Sequence, residues 1–352
     1  MSALRVIVIG CGNMGSSHAR AYAHVGGFDL VGLVDRDTER ASRLGIEVGN
    51  PAVFTAMDTA IMQVKPDVAC VCTYPDTHHA LVMQCLRAGL HVFVEKPLAQ
   101  TVAQAEEIAR TAQTVRRKVV VGYILRHHPA WQRFIAEART LGKPLVMRMN
   151  LNQQSSGPEW EVHKRLMQSM SPIVDCGVHY VDIMCQMTQS EPVRVTAIGA
   201  RLSDEIAKDM YNYGQLQVVF ADSSVGWYEA GWGPMMSETA YFVKDVIGPR
   251  GSISIADKRE TDSSDIDSHT KTSRLLKHDA VTHQNLTIDT SDEPGHQGLC
   301  DAEQRYVLRA IREDLDLTEH LNDAVNSLRI VLAGDESVRT GEVVHLNNTE
   351  QK

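Results

Sequence analysis

The sequence has little of what marks several large protein classes. Basic residues do not outnumber acidic ones: 35 Lys and Arg against 44 Asp and Glu give a formal net charge of −9, spread along the chain. Nucleic acid and anionic membrane are therefore not expected as partners, since either would want a basic patch. No apolar run approaches the ~18 residues that a membrane span needs. Cysteine is present but unpatterned, at positions 11, 70, 72, 85, 176, 185 and 300, an odd number with no zinc-knuckle or CxxC spacing. This argues against a disulfide framework and for a reduced, cytoplasmic protein. Cys70 and Cys72 alternate along an apolar strand, so both point to one side as small core residues. Met1-Ser-Ala-Leu-Arg5 runs straight into a β-strand, which leaves no room for a signal peptide. There is no internal repeat.

What is present is an ordinary soluble composition, 43% apolar and 22% charged, over 352 residues. That length suits two domains. Over residues 1–122, short β-branched runs (Arg5–Ile9, Leu30–Val34, Asp67–Cys72, His91–Val94, Lys118–Gly122) alternate with helical patterns. Strands so uniformly apolar are buried on both faces, which predicts a doubly wound parallel α/β sheet. Over residues 123–352 the texture changes. Runs at Pro144–Leu151, Val193–Ala200, Tyr213–Phe220, Ser224–Tyr228 and Ser252–Ala256 predict an α+β domain with a mostly antiparallel open sheet. A helix at Pro172–Met187 interrupts it, and helices at Gln297–Asp314 and Glu319–Thr340 close the chain. Asp257–His283, polar and aperiodic, reads as an exposed hairpin or loop.

Gly10-Cys11-Gly12-Asn13-Met14-Gly15 follows the first strand and opens a helix. Gly10 permits the tight turn, Gly12 lets a pyrophosphate approach the backbone, and Gly15 lets helix and strand pack closely. The helix N-terminus then offers free N–H groups and partial positive charge to the phosphates. Asp35 ends the second strand, where a carboxylate accepts from both ribose hydroxyls and repels a 2′-phosphate. NAD is preferred on that ground. Arg36 and Arg40 keep NADP open, because a guanidinium there suits a 2′-phosphate or stacks on adenine.

Glu95-Lys96-Pro97 follows the apolar run His91–Val94, with Thr73-Tyr74-Pro75-Asp-Thr-His78 and Ala88-Gly-Leu-His-Val92 before it. Together with Asp175-Cys-Gly177-Val-His179-Tyr-Val-Asp182, Ile247–Ile253 and Ser337–Gly341, these segments resemble the Gfo/Idh/MocA family (glucose-fructose oxidoreductase, inositol dehydrogenase and relatives) over nearly the whole chain. The resemblance implies a Rossmann domain followed by a substrate-binding and oligomerisation domain. It also implies a cis peptide before Pro97, and a homodimer or homotetramer formed through the second-domain sheet.

Oxidising a secondary alcohol removes a hydride from carbon and a proton from oxygen, and the oxygen needs a partner for that proton. Lys96, at the carboxyl end of a parallel strand, points into the crevice where such sheets bind ligands. Glu95 beside it can orient the ammonium or the cofactor, and His78 opens a helix near the nicotinamide. Asp175 and His179 lie four apart on a helix, with Asp182 three further on, close to the same face. The resemblance assigns Lys96 and His179 as the acid/base pair and Asp175 as a ligand of a neighbouring substrate hydroxyl. Asp175, His179 and Asp182 have the chemistry of a divalent-metal set, but no metal is assigned, because Lys96 already supplies a cation.

Arg126, in Gly122-Tyr-Ile-Leu-Arg126, is placed to bind hydroxyls or an acid group of the substrate. Trp160, His163, Tyr228 and Trp232 are candidates for the sheet-side wall, where aromatic faces stack on sugar rings. The leading expectation is hydride transfer between NAD and a sugar, sugar derivative or cyclic polyol. The same residues serve an NAD-dependent glycosidase that oxidises transiently, eliminates, hydrates and reduces again. A cofactor-bound sensor without catalysis is a third alternative, opposed by the retained Lys96, Asp175 and His179. Glu229-Ala-Gly-Trp-Gly-Pro-Met235 departs from inositol dehydrogenases and argues against assigning inositol.

Overall fold

A computed structural model describes residues 2–236, 243–256 and 272–346. The chain forms two compact units, Met1–Ile124 with Gly295–Val325, and Leu125–Pro294 with Asn326–Lys352. The expected boundary after residue 122 is thus close, but the chain also returns to the first unit near its end. That return is a long-range fact with no local signature.

In the first unit, six strands lie in the order β3-β2-β1-β4-β5-β6. They are β1 (Leu4–Ile9), β2 (Phe28–Val34), β3 (Ala52–Phe54), β4 (Val68–Val71), β5 (His91–Glu95) and β6 (Val119–Gly122), all paired in parallel. This is the doubly wound order, which reverses direction between β1 and β4 and so opens a crevice at their carboxyl ends. Helices α1 (Asn13–His24), α2 (Thr38–Glu47), α3 (Met57–Val64), α4 (Pro75–Arg87) and α5 (Val102–Val115) connect them. β4 and β6 are buried along their whole length, as their unbroken apolar runs require. The α1–β2 core is completed by Tyr22, Leu33 and Leu44, with Val307, Ala310 and Leu317 from the returning chain.

The second unit holds a nine-stranded sheet ordered β14-β13-β12-β11-β7-β10-β9-β8-β15. Its strands are β7 (Val146–Gln154), β8 (Pro192–Ala200), β9 (Tyr213–Phe220), β10 (Val225–Gly233), β11 (Lys244–Gly248), β12 (Gly251–Ala256), β13 (Arg274–Asp279), β14 (Asn285–Asp289) and β15 (Val344–His345). All pairs are antiparallel except β7 with β10, which run parallel with Val225 opposite Val146. Its helices are α6 (Pro129–Arg139), α7 (Gly157–Leu166), α8 (Pro172–Asp175) and α9 (Gly177–Thr188). Helices α10 (His296–Arg312) and α11 (Thr318–Thr340) close the chain.

Two expectations change here. The single helix expected over Pro172–Met187 is two, divided at Cys176. Helices α6 and α7 were not expected; each opens with Pro in its first turn, after a strand-like context that masks it. Of the polar stretch Asp257–His283, expected as a hairpin or loop, residues 257–271 lie outside the described residues, and Arg274–Asp279 is a strand paired antiparallel with β12 and β14, the hairpin alternative. No helix among the described residues is long and apolar enough to cross a membrane.

Candidate functional site

The glycine turn after β1 is built as its spacing requires. Gly10 has φ +91°, and a Cβ there would lie 2.5 Å from the Cys72 carbonyl oxygen. A Cβ on Gly15 would fall 1.8 Å from the Gly10 oxygen, so helix and strand touch at that point. Over Gly12 a Cβ would meet nothing within 4 Å. The turn is therefore packed from below and open above, a cradle that a phosphate pair fits and that a side chain at Gly12 would fill. Asn13 and Met14 form the first turn of α1, where no side chain caps the leading N–H groups. Cys11 is buried, which pushes its thiol up to about 12 and makes it packing rather than chemistry.

Asp35 is fixed by the backbone. The Cys11 N–H donates to its Oδ2 at 2.8 Å and the Asp37 N–H to its Oδ1 at 2.9 Å. Both oxygens keep a second acceptor position for ribose hydroxyls. Arg40 lies 3.8 Å from Asp35 and 3.3 Å from Asp37, while Arg36 is exposed. Pro75 begins α4, Tyr74 is exposed, and the Thr77 hydroxyl donates to that of Thr73 at 2.6 Å.

At the end of β5, the Lys96 N–H donates to Glu95 Oε2 at 3.2 Å, and the Lys96–Pro97 peptide is cis. His78 is turned inward instead of toward a cofactor. Its ring nitrogens lie 2.8 Å from the Pro97 oxygen and 3.0 Å from the Thr73 oxygen, and it is wholly buried. Burial lowers its pKa. A buried ring held between two carbonyls cannot also touch a nicotinamide, so His78 braces the Thr73 and Pro97 turns.

The second unit contributes a different arrangement. From Ser171 through Cys185 every residue is buried except Asp175 and His179. Gly177 permits this close seating: a Cβ there would lie 3.0 Å from the Tyr228 ring. Ser171 caps α8 and also donates to Asp335 at 2.6 Å, which anchors the segment that ends in Asp175. Asp182, expected near the same face, is instead buried in an ion pair with Arg126, whose Nε donates to its Oδ2 at 2.8 Å. Gln186 donates to the same oxygen at 2.8 Å. Asp182 is thus the counter-ion of Arg126, which is engaged by a carboxylate of its own chain.

Residues 4–123 match the family described as "Oxidoreductase family, NAD-binding Rossmann fold", and residues 132–254 match the Gfo/Idh/MocA C-terminal domain. The chain belongs to the Gfo/Idh/MocA family. It is similar to the D-glucoside 3-dehydrogenase of Escherichia coli K12, 32% identical over 51% of this chain and 53% of that protein. The UDP-N-acetylglucosamine 3-dehydrogenase of Acidithiobacillus ferrooxidans is 30% identical over 56% of this chain and 58% of its own. The similarity thus spans little more than half the length of these relatives. An oxidoreductase from Agrobacterium radiobacter, solved with NAD+, L-tartaric acid and magnesium, shares the fold: TM-score 0.81, 16% identity, 98% of each chain.

In this Gfo/Idh/MocA chain the four aromatic wall candidates lie mostly out of solvent. Tyr228 and Trp232 are 0% exposed and Trp160 is 5% exposed. Tyr228 stacks on Tyr180 with ring centroids 5.2 Å apart, and Trp232 stacks on His163 at 4.4 Å. Trp160 donates to Glu205 at 3.2 Å. A buried ring cannot stack on a sugar, so Tyr228 and Trp232 are packed inside the unit, and of the four only His163 is half-buried. Gln153, missed in the sequence, accepts from the Trp232 indole at 2.8 Å and lies 3.6 Å from the Cys176 thiol. Lys244 was missed as well: it is buried, donates to the Asn150 carbonyl at 2.8 Å, and burial lowers it to about 7. A lone polar residue inside a strand carries no spacing signal.

Proposed function

We propose that this chain oxidises a secondary hydroxyl of a sugar, sugar derivative or cyclic polyol with NAD, using Lys96 and His179 to move the proton. The observation that carries the reading is that Asp175 and His179 alone are half-buried within an otherwise buried segment. Bound NAD supplies the acceptor for the hydride. Gly10, Gly12 and Gly15, with the first turn of α1 through Asn13 and Met14, hold its pyrophosphate. Asp35 holds the ribose, Thr73, Tyr74 and Pro75 border it, and Glu95 fixes the start of Lys96.

The rest is proton handling by the chain. Lys96 takes the proton of the reacting hydroxyl and returns it in the reverse direction. His179 relays it onward, and Asp175 accepts a hydrogen bond from a neighbouring hydroxyl, which selects a polyhydroxylated substrate over a simple alcohol. Asp35 supports NAD over NADP because its carboxylate repels a 2′-phosphate. Arg40 already lies against Asp35 and Asp37, which leaves exposed Arg36 as the contact that NADP would use. We further propose a reducing, cytoplasmic setting, and a homodimer or homotetramer through the nine-stranded sheet. Val146, Val225 and Ile247 are 38–40% exposed on three adjacent strands and support that interface.

The test is a panel of aldoses, glucosides, nucleotide sugars and cyclic polyols with NAD and with NADP, read at the nicotinamide absorbance. Stoichiometric NADH with one of them, and a preference for NAD, is expected. Aglycone release from a glucoside without accumulating NADH would replace net oxidation by redox-neutral cleavage. No turnover on any member would overturn the reading.

A further inference from the structure

Beneath Lys96 lies a buried cluster that the proposed chemistry does not use directly. His18, on the face of α1 that meets the sheet, is 0% exposed, and its Nε2 lies 2.7 Å from Glu95 Oε1. The ring packs on Phe93 with centroids 4.6 Å apart. The Gln304 amide, from α10, lies 2.9 Å from its Nδ1. Glu95 uses its other oxygen, Oε2, to accept from the Lys96 N–H at 3.2 Å. A continuous chain of polar contacts therefore runs from α10 through α1 to the backbone of Lys96. Gly122 leaves room for the carboxylate, since a Cβ there would lie 3.3 Å from the Glu95 carboxyl carbon.

We infer that His18 is a positioning residue: as an imidazolium it holds Glu95 ionised and oriented, and Glu95 in turn fixes the backbone from which Lys96 reaches the reacting hydroxyl. The inference rests on the reading of Lys96 given above. Three observations support it. A buried carboxylate needs a counter-charge, and the His18 ring, 2.7 Å away, supplies one when protonated. Burial works to lower the His18 pKa, but the hydrogen bond to Glu95, with the charges of Cys70, Glu95 and Glu303, outweighs it and raises the ring to about 9. An imidazolium carries N–H on both sides. The Gln304 amide, whose Oε1 is otherwise without a partner, complements it once that oxygen faces Nδ1.

The other titratable groups around His18 are Cys70 and Cys72 on β4, Tyr22 on α1, and Cys300 and Glu303 on α10. Burial pushes the Cys72, Tyr22 and Cys300 groups up, so they stay neutral, whereas Cys70 is lowered against its burial by hydrogen bonds with Cys72 and Tyr22 and by the charge of His18. Glu303 is raised by burial to about 8, and its two oxygens accept no hydrogen bond among the described residues. At neutral pH it is a carboxylic acid, which leaves Glu95, in direct contact, and the Cys70 thiol to balance the His18 charge. His18, Cys300 and Glu303 bring ligand atoms within 4.8 Å of one another, as a metal site would. Both ring nitrogens of His18 are engaged, however, so no lone pair remains for an ion.

The first test needs no substrate: the ring nitrogens of His18 are followed by 15N NMR in the full chain between pH 6 and 10. Both nitrogens are expected to be protonated at pH 7.5, with the titration moved down by at least one unit in Glu95→Gln. A neutral ring at pH 7.5 would overturn the inference whatever the enzyme turns over. The second test is kinetic. His18→Asn is expected to lower kcat by about 100-fold, the scale of an ångström-sized misplacement, with the Kd for NAD unchanged. The His18→Asn/Glu95→Gln double variant is expected to lose no more than either single variant, because the two act as a unit. Additive losses, or an undiminished kcat in a folded His18→Asn, would contradict the role. If His18→Asn does not fold, the NMR titration of the wild-type chain decides alone.

Discussion

Alanine at Gly12 and alanine at Gly15 are expected to fail in opposite ways. Gly12 has φ −73° and ψ −163°, a conformation any residue adopts, and its Cβ would meet nothing within 4 Å. Without cofactor, Gly12→Ala is therefore neutral or stabilising by about 0.4–1 kcal/mol through loss of unfolded-state entropy. The same methyl occupies the space a pyrophosphate needs. Overpacking of that size costs about 1–3 kcal/mol, which is roughly fivefold to 150-fold weaker NAD binding. Gly15→Ala meets the Gly10 carbonyl oxygen at 1.8 Å, a backbone atom that cannot rotate away. Strand and helix must separate there, and a loss of several kcal/mol should lower Tm by roughly 10 °C or more. Thermal melts without ligand and calorimetric titration with NAD read both quantities. Wild-type NAD affinity in Gly12→Ala, or a wild-type melt in Gly15→Ala, would refute the reasoning.

Other predictions follow from buried charge. Glu303 has a folded pKa of about 8 against an ordinary value of 4.5, so its contribution to stability is present below pH 4.5 and is lost as pH rises through about 8. Glu303→Gln removes that loss, and its urea midpoint should gain on the wild type between pH 5 and 8; parallel pH profiles would contradict this. Arg126→Ala leaves Asp182 buried without its cation and should cost about 3–5 kcal/mol in urea unfolding. Adding Asp182→Leu should recover most of that, whereas an unchanged midpoint in Arg126→Ala would refute the pairing. Asp35→Ser should raise NADP use relative to NAD, measured as the ratio of kcat/KM. An unchanged ratio would remove Asp35 from cofactor selection.

Much of this was legible in the sequence where the signal is local. The Gly10, Gly12, Gly15 spacing and the unbroken apolar strands specified the first sheet and its turn, because each device acts within a few residues. Helical spacing singled out Asp175 and His179 in the sequence, but not the break at Cys176 that puts them on two helices. What escaped depended on distant partners. His18 reads as an ordinary core histidine until Gln304, 286 positions away, and Glu95 are brought beside it. His78 looked like a cofactor contact, since position on a helix says nothing about which way a ring turns. Asp182 fell on the expected stripe, yet Arg126 from an earlier turn claims it. The parallel pairing of β7 with β10 joins strands with other elements between them, and hydropathy does not record strand direction.

The central claim is that this chain transfers a hydride from a carbinol carbon while Lys96 takes the hydroxyl proton. It is tested most directly by the rate of NADH formation from the best substrate of the panel, in wild type and in Lys96→Ala, with NAD affinity measured on the same preparations. General acid–base catalysis contributes about 10²- to 10⁴-fold, so kcat in Lys96→Ala should fall by that order while NAD still binds. Turnover surviving the substitution undiminished would contradict the account.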